Sequence, residues 1–364
     1  MNLFKKKYQL ILIIALWFSL SVITWFKPTS LVSYSERRPL RQFPVVSIHN
    51  VLSGFFMQHF EAYALDQFPF RESFRTLKAF SDLYIFNHSN THGIHVIGDH
   101  LVSFQYPMND NALQRAINQL NQLYNLYLSD TQVSLYLSVI PDKGYFLGKE
   151  DDYLNIDYSK FIYQITTKMP FATYIDLFPV LSLDDYYTTD THWRQENLLP
   201  IAEFLLSSMG NPNGHLWNYH LVNTELPFYG IYHSQSALPS KPDALCYWTN
   251  SKLESLEVYH IHSNLLTPVY DLEKLSSFDS YNLFLSGASP LLVIENPNAS
   301  TEKELIIFRD SFASSLSPLL FEGYAKTILI DLRYMSESLI SEYIQFENQD
   351  VFFLYSAIVL NGWH

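Results

Sequence analysis

The chain has 364 residues, a formal net charge of −13 and a sequence pI of about 5.4. An acidic balance with no basic stripe argues against nucleic-acid binding. A single cysteine, Cys246, excludes an intrachain disulfide framework.

Residues 8–26, from Tyr8 to Phe26, are almost wholly apolar and long enough to cross a bilayer. Lys5, Lys6 and Lys7 precede them, so the positive-inside bias puts residues 1–7 in the cytoplasm and everything beyond about residue 28 outside. A cleaved signal peptide shares the basic start and apolar run, but Val22-Ile23-Thr24-Trp25-Phe26-Lys27 lacks the small-x-small pattern of a cleavage site. The expectation is a single-pass anchor in the cell membrane carrying an extracellular domain. Such a domain without disulfides suits a bacterial surface protein.

Residues 27–50 read as an extended lead-in, with Pro28, Pro39 and Pro44 opposing a helix. Residues 50–86 read as amphipathic helix, interrupted at Asp66-Gln67-Phe68-Pro69-Phe70-Arg71 by a break held through local hydrogen bonds. Residues 88–104, with Gly93 and Gly98, predict a hairpin. His88, His92, His95 and His100 have a spacing that suits zinc, but no cysteine or paired carboxylate accompanies them and a hairpin scatters them over two faces. No metal site is expected.

Leu113, Ile117, Leu120 and Leu123 recur at helical spacing within residues 109–129, and Val133–Ile140 follows as a strong strand. Further strands are predicted at 171–177, 282–286, 291–295, 304–309, 326–331 and 350–355, with helical stretches between several of them. This pattern implies βαβ units and a mostly parallel sheet. Residues 51–364 would then form one α/β domain, broken at about 210–280 by a polar insertion expected to be irregular.

Two segments carry chemistry. Thr189-Asp190-Thr191-His192-Trp193 supplies a carboxylate and an imidazole two residues apart, on one side of an extended backbone. Phe308-Arg309-Asp310-Ser311-Phe312 supplies a hydroxyl at the carboxyl end of the 304–309 strand, where a turn is predicted to open a helix. Asp190, His192 and Ser311 are the three groups of a nucleophilic acyl-transfer site, and both segments fall on connections beside a rigid sheet. The alternative is that Ser311 and Asp190 only cap helices. Lys143 follows a strand end on the same edge, where it either binds an anionic group or forms a salt bridge. Trp193 either stacks on a sugar or wedges the loop against the core, and core is the favoured reading. Lys143, Arg309 and Trp193 stand as the candidate substrate-binding residues.

The order of segments resembles the DHHW family of bacterial cell-surface proteins and, more distantly, the alginate O-acetyltransferases of the SGNH superfamily. The resemblance runs through Ser35-Glu36-Arg37-Arg38-Pro39-Leu40, Asp66–Arg71, Ile140-Pro141-Asp142-Lys143, Tyr187–Trp193, Phe228-Tyr229-Gly230, Arg309–Phe312 and Ile330-Asp331-Leu332-Arg333-Tyr334. Thr191 stands where the family has a first histidine. Ala288, within Phe284–Pro290, stands where an asparagine could serve an oxyanion hole. The hole would then be built from Ser311, Phe312, Gly287 and Ser289.

The resemblance implies an SGNH-hydrolase-like three-layer domain after one transmembrane helix. Its residue order is circularly permuted, Asp190 and His192 preceding Ser311, and Arg309 replaces the glycine of the Gly-Asp-Ser-Leu block. It implies a membrane-anchored O-acyltransferase acting on a cell-surface polysaccharide, with Ser311 as nucleophile, His192 as base and Asp190 as its orienting group. No cofactor is expected to be bound. Acetyl-coenzyme A being cytoplasmic, the acyl group would come from a donor or a membrane-bound acyltransferase partner. The same residues would serve a carbohydrate acetylesterase, and the altered Ser286–Pro290 stretch leaves a catalytically weak glycan-binding or assembly protein open.

Overall fold

The computed structural model describes residues 2–148, 153–211 and 218–363. Its contacts divide the chain into two compact units: residues up to His92 together with His233–Pro239, and Gly93–Tyr232 together with Ser240–His364. The boundary therefore falls at residue 92 and not near 51.

The first unit begins with a 25-residue helix, Asn2–Phe26, long and apolar enough over Lys7–Thr24 to cross a membrane. The lead-in is extended, apart from a two-residue pairing of Val32–Ser33 with Arg38–Pro39. Helices follow at Ile48–Leu52, Phe55–Asp66 and Arg71–Phe80, the last continued by a π-helical turn over Ser81–Ile85. The break at 66–71 is not held locally. Arg38 donates to both oxygens of Asp66, at 2.9 and 2.6 Å, and the Arg41 N–H adds a third bond at 2.9 Å. Arg71 pairs with Glu36. The Ser35–Leu40 and Asp66–Arg71 motifs are thus one network, and Arg38 holds the Asp66 carboxyl below its ordinary range.

In the second unit, eight strands form one sheet: β1 (Ser134–Ile140), β2 (Thr173–Tyr174), β3 (Glu257–His260), β4 (Leu265–Pro268), β5 (Leu291–Glu295), β6 (Glu304–Arg309), β7 (Lys326–Ile330) and β8 (Asp350–Ser356). Their order is β4-β3-β5-β7-β6-β8-β1-β2. The five from β7 to β2 are parallel, and β5, β3 and β4 continue the sheet antiparallel. Alternation along β6 explains the layers. Leu305 and Ile307 join a core shared with the Leu199–Ser208 helix, whereas Ile306 and Phe308 join one shared with the Asp110–Leu123 and Tyr158–Lys168 helices. A strand buried on both faces is why β6 and β8 read as unbroken apolar runs.

Three expectations change. The 171–177 strand shrinks to Thr173–Tyr174 because Asp176 accepts from the Phe178 N–H at 3.0 Å and turns the chain away from the edge. Residues 282–286 are not a strand: Leu283, Phe284 and Leu285 are buried, but Leu285, Ser286 and Gly287 have φ of 56°, 57° and 93°, which no strand accommodates. The 210–280 insertion is largely regular. His220–Phe228 pairs with Asp243–Thr249, and β3 and β4 extend the main sheet; residues 212–217 lie outside the described residues.

Replacing Asp66 with alanine removes three charge-assisted bonds from the first unit, a loss of about 1–3 kcal/mol. Hydrogen exchange is expected to accelerate over residues 28–71 while β6 and β8 keep their protection. Unchanged exchange at 28–71 would show that the pairing holds nothing.

Candidate active site

Ser311 lies where β6 leaves the sheet, and its position is set by the residue before it. Asp310 is fully buried. Its Oδ1 accepts from the Phe312 N–H at 3.0 Å, and its Oδ2 from the N–H and hydroxyl of Ser356 at 2.7 Å each. Because Ser356 ends β8, this carboxylate ties the turn to the neighbouring strand. The helix that follows, Ala313–Leu316, has only four residues before 3₁₀ turns take over.

The other segment comes to meet it. His192 Nε2 is 2.8 Å from Ser311 Oγ, and His192 Nδ1 is 2.6 Å from Asp190 Oδ1. A carboxylate only accepts, so Nδ1 carries the proton and Nε2 faces the Ser311 hydroxyl as an acceptor. Asp190 also takes the His192 N–H on Oδ1 at 2.9 Å and the Ile231 N–H on Oδ2 at 2.7 Å. The imidazole stacks on Tyr281, ring centroids 4.0 Å apart and 13° from parallel, while the Tyr281 hydroxyl donates to Ser315 at 2.9 Å.

The loop bearing Asp190 is held from the segment expected to be irregular. Asp243, on the second strand of the 220–249 hairpin, accepts from the N–H and hydroxyl of both Thr188 and Thr189 at 2.6–2.9 Å. Gly230 runs so close that a Cβ there would lie 2.2 Å from Asp190 Cβ. Thr191, at the position of the family's first histidine, accepts from the Tyr232 hydroxyl at 3.1 Å.

The three candidate substrate-binding residues are buried, which corrects the assignment for Lys143 and Arg309 and agrees with the favoured core reading of Trp193. Trp193 is fully enclosed and donates its indole N–H to Phe312 O at 2.9 Å and Ser315 Oγ at 3.0 Å, offering no face to a sugar. It locks the histidine loop onto the serine turn. Lys143 is 2 % exposed, and its ammonium donates to the carbonyls of Tyr187 and Thr188 at 2.9 and 3.1 Å. Among the described residues it forms no salt bridge, and its burial keeps it from solvent-borne anions. Arg309 is 1 % exposed and donates to Ser314 Oγ at 2.6 Å.

Of the expected oxyanion donors, two are committed elsewhere. The Phe312 N–H goes to Asp310, and the Gly287 N–H to Phe284 O at 3.2 Å. The Ser311 N–H and both polar groups of Ser289 have no hydrogen-bond partner among the described residues. Tyr281, Asp243, Asp310 and Gly230 are what sequence reasoning missed. The only signal was the presence of Gly230 and Asp310 inside recurring motifs.

With the geometry in hand, comparison with known proteins is informative about the fold. No family model matches the chain, and no curated protein matches it in sequence. Among solved structures, PatB1 of Bacillus cereus with a sulfonyl adduct is 20% identical, with a TM-score of 0.60 over 73% of this chain and 95% of that one. A DHHW family protein from Eubacterium siraeum is 19% identical, with a TM-score of 0.57 over 75% and 93%. The chain has their fold. A second PatB1 structure gives 18% identity and a TM-score of 0.57 over 73% and 96%. The agreement spans nearly all of each neighbour, so the resemblance read from the ordered motifs extends to the architecture.

Two outcomes follow. Gly230→Ala should push the Asp190 loop away from Ser311 without unfolding the sheet: circular dichroism stays unchanged while labelling of Ser311 by a serine-reactive probe falls at least about tenfold, a rise of about 1.4 kcal/mol in the barrier. Unchanged labelling would mean that the close approach is dispensable. For Lys143, burial lowers the ammonium pKa from 10.5 to about 7. The unfolded chain then binds more protons between those values, so this group's contribution to stability rises as pH climbs from about 7 toward 10.5. Urea unfolding in detergent across that range should show a steeper rise for the natural chain than for Lys143→Met. Parallel pH profiles would refute the assignment.

Proposed function

We propose that this chain is a membrane-anchored O-acyltransferase of the cell surface, with Ser311 as nucleophile, His192 as general base and Asp190 as the group that orients it. The observation that carries the reading is the continuous line from Asp190 Oδ1 through His192 to Ser311 Oγ, at 2.6 and 2.8 Å. In the first step Ser311 Oγ attacks the donor's acyl carbon while its proton passes to His192 Nε2. The acyl–donor bond breaks, and the leaving group takes that proton. In the second step Nε2 removes the proton of an acceptor hydroxyl, which attacks the acyl-serine and restores the Ser311 hydroxyl. Negative charge on the acyl oxygen would be met by the uncommitted Ser311 N–H and by Ser289.

The acceptor in this reading is a cell-surface polysaccharide. The Asn2–Phe26 helix is the anchor, with the second unit outside, and a membrane-bound acyltransferase partner delivers the acyl group. A sulfonyl reagent captures an activated nucleophile, and PatB1, which shares the fold, carries a sulfonyl adduct.

The test is to treat the full chain in detergent with a sulfonyl fluoride probe and map the adduct by mass spectrometry. Modification is expected at Ser311, absent in Ser311→Ala, and slower by about 10²–10⁴-fold in His192→Ala. Asp190→Ala should be milder than His192→Ala but still costly, because the imidazole loses orientation and charge support. Surface O-acetylation should disappear in cells carrying Ser311→Ala. A folded chain that resists the probe, with surface acetylation unchanged by Ser311→Ala, would overturn the enzymatic reading.

A further inference from the structure

Exposed apolar side chains are not spread evenly over the molecule. Among the described residues, sixteen large hydrophobic residues stand exposed between Phe43 and Phe86, and only seventeen across the whole stretch from 93 to 363. The density is several times that of the rest of the chain, far beyond the scattered exposure normal on a soluble surface. Part of it is ordered. Phe74 and Leu77 share one face of the helix Arg71–Phe80, with Phe70 at its N-cap and Tyr84 in the π-helical continuation Ser81–Ile85 at either end, and the four are 46–67 % exposed. Ala79, on the opposite side, is 2 % exposed and packs inward. The stripe is thus the outward face of a helix already seated on the unit.

Charge points to what covers that stripe. Residues 27–92 hold seven basic and five acidic side chains, whereas residues 93–364 hold thirteen basic and thirty-one acidic. On the helix itself Arg71 pairs with Glu36, Arg75 with Glu72 and Lys78 with Asp82, so it is the net basic balance of the whole segment that suits an anionic lipid interface. The segment also begins where the Asn2–Phe26 helix ends, so the same bilayer is within its reach. We infer that the helix Arg71–Ile85 is an interfacial membrane helix, its Phe70–Phe74–Leu77–Tyr84 stripe immersed at the boundary of headgroups and acyl chains. The inference rests on the anchoring of Asn2–Phe26 given under the proposed function, and it adds a second, monotopic contact with the bilayer.

The full chain carrying Cys246→Ala is reconstituted in vesicles and nanodiscs containing anionic phospholipid, and spin-labelled through Phe74→Cys, Leu77→Cys or, as a water-side reference, Lys160→Cys. Labels at 74 and 77 are expected to collide several-fold more often with oxygen than with a water-soluble nickel chelate, and the label at 160 to do the reverse. Nickel accessibility at 74 and 77 equal to that at 160 would overturn the inference. So would exclusion of both reagents, which would mean that protein covers the stripe. Washing the vesicles with alkaline carbonate separates the two readings: a released chain sinks the anchor, whereas a retained chain with nickel-accessible labels sinks only the interfacial helix.

Discussion

The buried carboxylate of Asp190 is the point on which the site depends. A charge removed from water is tolerated only when its oxygens are satisfied, and here His192 supplies two donors and Ile231 a third. Satisfying Asp190 fixes the backbone at 192, the tautomer of the ring and the approach of Gly230 together. None of these can relax alone. Gly230 has no room for a side chain because the carboxylate is there, and Ser311 meets an acceptor nitrogen because Asp190 already holds the other.

Two more buried carboxylates repeat the device on either side. Asp243 gathers four donors from Thr188 and Thr189, and Asp310 gathers three from Phe312 and Ser356. Each joins a loop to an element distant in sequence. Trp193 and Gln195 complete the frame, Gln195 donating to Ser315 O at 2.6 Å and accepting the Trp248 N–H at 2.9 Å. The loop edge of a parallel sheet is where irregular backbone collects, and these side chains supply the hydrogen bonds that the strands no longer provide. The result is a partly exposed hydroxyl and a buried imidazole held by hydrogen-bonded neighbours, the preorganisation that the proposed nucleophile would need.

The parts of the chain also differ in kind. The stretch that follows the apolar helix is weakly basic and rich in exposed apolar side chains, while the sheet-bearing unit is strongly acidic with its apolar residues inside. Opposite solutions to solvation along one chain are what the proposed anchoring would require: one part chemically compatible with lipid, the other kept in solution by net charge.

Local pattern was enough to determine much of this. The apolar run at 8–26, the strands at 133–140, 304–309, 326–331 and 350–355, and the helix after residue 109 each carry a periodicity or a length that depends on no distant residue. The pairing of Asp190 with His192 was also legible, because two residues in extended chain already share a side. What only the tertiary structure decided is where long-range partners are the cause. Leu283–Leu285 looks like a strand because it is buried, yet burial in a left-handed loop leaves the same apolar signature. Residues 220–268 look irregular because most of their strands are half-exposed, and the pairing even of the apolar, largely buried Asp243–Thr249 is not written in that strand alone. Lys143, Arg309 and Trp193 resemble surface recognition groups in sequence, since polar and aromatic residues near a site usually face solvent. Here the carbonyls of remote loops hold Lys143 and Trp193 inside, and Arg309 turns back onto the Ser314 hydroxyl of its own turn. Residue type sets what a side chain can bond to, and only the fold decides which partner reaches it first.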